Sequence, residues 1–138
     1  MANKLTTVID NIETALKTIG NLTVKRGLIN PLTEKNPPVV SLAASRFRRR
    51  DNTWMCELLI QAVAVRDSAT DPDEAAANLA ADMQDKIDGI VNAGTAGGWI
   101  AEPTWECWYA AASGDFPARP VGVLGLTTVR IDGALKSS

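Results

Sequence analysis

A long apolar hairpin constrains this chain more than any other feature. Val39-Val40-Ser41-Leu42 leads through Arg46-Phe47-Arg48-Arg49-Arg50-Asp51-Asn52 and returns from Trp54 to Val65. The arms are read as strands over Val39 to Arg48 and Thr53 to Val65. Asp51-Asn52 suits the turn, because both side chains tolerate turn geometry. Pro37-Pro38 cannot donate to a ladder, so it marks the entry to the first arm. On the second arm Trp54, Cys56, Leu58, Ile60, Ala62 and Ala64 share one face. Met55, Glu57, Leu59, Gln61, Val63 and Val65 share the other. A strand buried on one side needs only the first face to be apolar. The second face implies partial cover by a helix, a loop or another subunit.

Helical spacing brackets the hairpin. Leu5, Val8, Ile9, Ile12, Leu16 and Ile19 fall on one stripe, which predicts a helix from Asn3 to Ile19 ended by Gly20-Asn21. Glu13 and Lys17 stand four apart with the acid first, an arrangement that favours a surface pair. A second helix opens at Asp71-Pro72-Asp73-Glu74, with Asp71 as the cap and Pro72 at the first helical position. Its buried stripe is Ala75, Leu79, Met83, Ile87, Ile90 and Val91, and Asn92 and Gly94 end it. Short strands are expected at Leu22 to Arg26, Thr104 to Ala112 and Val121 to Ile131. Ile100 to Pro103 reads as a connector and Ser113 to Pro120 as a loop. Trp105, Cys107 and Tyr109 are expected on one face of their strand, and Glu106 and Trp108 on the other. The order predicts an α+β fold, a mainly antiparallel sheet with the long β-hairpin and two main helices packed on one face.

Single cores commonly occupy about 100–150 residues, so residues 1–138 are read as one domain with a frayed tail at 132–138. A formal net charge of -2 gives no global attraction to nucleic acid or to an anionic membrane. No apolar run approaches the roughly 20 residues of a membrane helix, and the start does not read as a signal peptide. Cys56 and Cys107 sit in apolar runs and read as buried thiols, which fits a reducing cytoplasm.

The chemistry points away from an enzyme. The chain contains no histidine, which removes serine–histidine and cysteine–histidine catalysis. Two cysteines so far apart make no zinc pair. Gly94-Thr95-Ala96-Gly97-Gly98 lacks the lysine and hydroxyl of a phosphate loop and follows a helix, so a helix exit explains it better. No catalytic residue, cofactor or metal is expected.

What remains is surface. Arg46, Arg48, Arg49 and Arg50 crowd the hairpin tip, and Asp82, Asp85 and Asp88 lie on an acidic side of the second helix. A solvated tip that blocks edge-to-edge aggregation accounts for the arginines in one way. Docking to an acidic protein surface or to phosphates accounts for them in another, since the guanidinium fork pairs with two oxygens at once. Trp54 and Trp105 read as core. Trp99 and Trp108 are candidates to face another subunit.

The layout as a whole resembles the tail terminator (tail completion) proteins of long-tailed bacteriophages, including the lambda-type minor tail protein U group. The matching features are the amphipathic opening helix, Pro37-Pro38-Val39-Val40 leading into the hairpin, and the capped helix after Asp71-Pro72. The strand around Trp105 to Ala111, then Pro117 to Pro120 and Val121 to Ile131, complete the match, which spans nearly the whole chain. The resemblance implies a virion subunit that forms a six-membered ring at the head-proximal end of the tail tube. It also implies contacts with the tail tube protein and with a head connector or adaptor protein, and DNA passing through the lumen without sequence recognition. Assembly would take place in the host cytoplasm. A head-completion or connector adaptor is the nearest alternative, and a small nucleic-acid-binding module using the arginine tip is an alternative of another class. On the ring reading, the tip reaches an acidic surface on a neighbour, and charge reversal at Arg48 and Arg49 impairs assembly.

Overall fold

The computed structural model describes residues 4–20, 22–27, 39–63, 72–101, 103–110 and 119–132, with the backbone alone at 72, 73, 75, 76, 106–110 and 119–124. Along the chain run α1 (Lys4–Leu16), β1 (Thr23–Arg26), β2 (Val39–Arg50), β3 (Thr53–Val63), α2 (Pro72–Asn92), β4 (Trp99–Ile100), β5 (Thr104–Ala110) and β6 (Arg119–Asp132). The fold is α+β: two helices and one six-stranded sheet, mostly antiparallel, in the order β1-β2-β3-β6-β4, with β5 also on β6. β1 runs parallel to β2 over Thr23↔Val39 to Arg26↔Leu42, which makes the sheet mixed. β2 continues from Ala43 to Arg50 with β3 as its only partner among the described strands.

The hairpin closes through a two-residue turn. Arg50 pairs with Thr53, and Asp51 takes a φ of 53°, the left-handed conformation that aspartate tolerates better than most residues. Both helices cover the same side of the sheet. Leu5, Val8, Ile12 and Leu16 of α1 and Leu79, Met83 and Ile87 of α2 pack on Val40, Leu42, Cys56, Leu58, Ile60 and Ala62. Full burial of one such aliphatic side chain contributes about 1.5–3 kcal/mol.

The boundaries differ from expectation for local reasons. α1 stops at Leu16, because the amides of Thr18 and Ile19 bond to the carbonyls of Ala15 and Leu16, three residues back, and tighten the exit. α2 ends as expected at Asn92. The Thr95 amide reaches the Ile90 carbonyl at 3.0 Å, the Gly94 amide reaches Val91 at 3.1 Å, and Gly94 supplies the left-handed φ of 71°. The expected connector at Ile100 begins as strand: Trp99 and Ile100 pair with Arg130 and Val129. β6 starts at Arg119, inside the expected loop, and includes Asp132 of the expected tail. Pro37-Pro38, Ala64, Val65, Asp71, the rest of the 113–120 loop and the 133–138 tail lie outside the described residues, as do the side chains of Cys107 and Trp108.

Candidate docking surface

The register of three long strands assembles a surface from distant parts of the chain. On the sheet face away from the helices, Arg46, Glu57 and Thr128 form one cross-strand row. Arg48, Met55, Arg130 and Trp99 form the next. Ala43, Leu59, Leu126 and Thr104 form a third on the other side of the first. No helix among the described residues covers these rows. Leu126 is 45% exposed and Trp99 48%, large values for side chains of this size and polarity.

A β-bulge decides which arginines belong here. The β2–β3 register shifts between Ala44 and Arg46. One residue is left unpaired, so every side chain beyond it changes face relative to simple alternation. Arg46, Arg48 and Arg50 therefore share the open face with Glu57, Met55 and Thr53. Phe47 and Arg49 fall on the helix side, beyond the helices' reach, where Phe47 is 52% exposed. The structure thus divides the sequence cluster in two.

Each arginine has a different setting. Arg46 Nε lies 3.7 Å from Glu57 Oε2 in an exposed pair. Arg130 sits over the Trp99 ring at 5.1 Å from its centroid and 3.9 Å from Asp132 Oδ1. Arg49 sits over Trp54 at 5.5 Å, and its Nε donates to the Asp51 carbonyl at 3.0 Å. Such exposed cation–π contacts contribute about 0.5–1 kcal/mol and chiefly orient the guanidinium. Arg48 makes no ion pair among the described residues and stands beside Met55 and Thr128 around a depression of about 20 Å3. That volume is far below the roughly 300–1,000 Å3 of a small-molecule site.

The acids lie on the other side of the molecule. Asp82 and Asp85 are exposed on α2, and Asp88 is half-buried. Asp82, Asp85 and Lys86 border a surface groove of about 350 Å3 whose far wall is Ile19 and Gly20 at the exit of α1. The structure therefore brings Arg46, Arg48 and Trp99 together, adds Arg130, Thr128 and Leu126, and keeps them apart from Asp82, Asp85 and Asp88. Trp108 is placed by its backbone alone, opposite Val121, after a register shift between Glu106 and Trp108 that breaks the expected alternation in β5. The signal for the missed residues was the second parity of β6, where Leu124, Leu126, Thr128 and Arg130 alternate with the core positions.

Among the described residues no group of His, Cys, Asp and Glu is placed to hold a metal ion, and no helix is long and apolar enough to cross a membrane. Burial pushes the Cys56 thiol above its ordinary range and so holds it in the unreactive protonated form. Compared with known proteins, the chain matches no family model, and no curated protein shows significant similarity to it.

Proposed function

We propose that this chain is a structural subunit of a long-tailed phage, forming a ring at the head-proximal end of the tail tube. The ring ends tube polymerisation and offers a docking surface to the head connector, while DNA passes through its lumen. The observation that carries this reading is the open sheet face, where Arg46, Arg48, Arg130, Trp99 and Leu126 meet without a covering layer among the described residues. A closed ring uses heterologous contacts, in which one patch of a subunit meets a different patch of its neighbour. This face and the acidic side of α2 are two such patches. The layout of the fold also agrees with the resemblance: an opening helix, a long hairpin, a second helix and closing strands.

Electron microscopy of purified tail tubes incubated with the protein tests the reading. A ring at one end of each tube, with growth arrested there, is the expected result. Bare ends and continued growth would refute it. Copurification with portal or adaptor protein in place of tail tube protein would move the assignment to a head-completion role.

The same arginines, sharing a face with Trp99, favour a second reading as a nucleic-acid-binding module, since exposed aromatic rings beside cations can stack bases. DNA binding whose affinity falls steeply with salt supports that reading. Absence of DNA binding at low salt rejects it.

A further inference from the structure

The outward side of α2 has a composition that suits close contact. Glu74, Asn78, Ala81, Asp85, Asp88 and Asn92 recur at alternate spacings of four and three, opposite the buried Leu79, Met83 and Ile87. That spacing places them on one stripe of the helix. The stripe holds no large apolar residue, and its charges are all negative. Ala77, Ala81 and Gly89 keep the neighbouring surface low. Beside it runs the groove bordered by Ile19, Gly20, Asp82, Asp85 and Lys86. The open sheet rows are the complement in sign: Arg46, Arg48 and Arg130 outnumber Glu57 there, and Arg48 makes no ion pair among the described residues.

We infer that the open face of one copy seats on the outward side of α2 of a second copy, with Arg48 entering the groove beside Asp82 and Asp85. The inference rests on the ring reading for its repetition around a closed assembly. Helices already cover one side of the sheet, and on the other side Val39, Ser41 and Val63 are buried within the chain; the neighbour's α2 covers the exposed rows that remain, so Leu126 and Trp99 lose their exposure to water. A guanidinium with an apolar stem fits a groove that has Ile19 and Gly20 on one wall and Asp82, Asp85 and Lys86 on the other, where two carboxylates outnumber the one ammonium. The two patches lie on opposite sides of one subunit, so the contact cannot be satisfied within a single chain and repeats from copy to copy.

A charge swap on the full chain tests this, read by sedimentation velocity at low and high salt and by cross-linking on tail tubes. The wild-type chain is expected to self-associate, more weakly as salt rises. Arg48→Asp and Asp85→Arg should each weaken association by about tenfold or more, and the chain carrying both should recover most of the loss. Arg49→Glu, on the other face, should leave association unchanged. Circular dichroism checks that every variant keeps its fold. The inference is overturned by a combined variant no better than the single ones, by an Arg49→Glu loss equal to that of Arg48→Asp, or by a wild-type chain that stays monomeric both in solution and with tubes. Swap-dependent association without rings on tubes would overturn the tail assignment and leave this contact standing. Rings on tubes that ignore the swap would do the reverse.

Discussion

Gly125 has no side chain because Trp105 occupies the space above it. A Cβ built there would lie 2.7 Å from the Trp105 ring, which packs across β6 on the helix side of the sheet. Gly125→Ala should therefore push the ring outward and destabilise the fold by about 1–3 kcal/mol, seen as a lower urea midpoint and altered tryptophan fluorescence. Glu13 links stability to pH. Lys17 at 3.0 Å and the Arg26 guanidinium, also paired with Asp10, hold its carboxyl below its ordinary value of 4.5. Its contribution is complete above that ordinary value and is lost as pH falls through the lowered folded value. Glu13→Gln should lower the midpoint of thermal unfolding at neutral pH, leave the most acid end of the series nearly unchanged, and so flatten the acid limb. The Glu13–Lys17 pair was legible from spacing alone. Arg26 was not, because it reaches α1 from β1, and no local pattern records that crossing.

The hairpin was legible because two apolar runs flank a turn-forming pair. Its bulge was not, since nothing about Ala44-Ser45-Arg46 marks an extra residue. The consequence was large: the arginines belong to two faces, and only one of them carries the candidate site. β4 escaped notice because two residues display no period. The parallel pairing of β1 escaped it because strand direction is set by the connection, not by the strand's own composition. The opening helix was read correctly from its stripe, and the structure shows what that stripe supports. Ile12 is fully buried in the core cluster that joins both helices to the sheet. Ile12→Ala should cost about 2–5 kcal/mol in denaturant unfolding, because the rigid sheet below cannot close the cavity. Lys17→Ala, one turn further and exposed, should cost less than about 1 kcal/mol.

At the scale of the whole molecule, the α+β class and the one-sided helix layer followed from the order of elements and their periods. The docking surface did not, because its members come from β2, β3, β4 and β6 and meet only through register. β6, the last of the described strands in chain order, lies between β3 on one side and β4 and β5 on the other. The ribosome must therefore finish the piece that joins the two halves before the fold can close. Until then β3 presents a bare edge, and unpaired strand edges invite aggregation. A nascent chain halted before Arg119 should stay protease-sensitive and depend on chaperones, and release of the full β6 should end both conditions together.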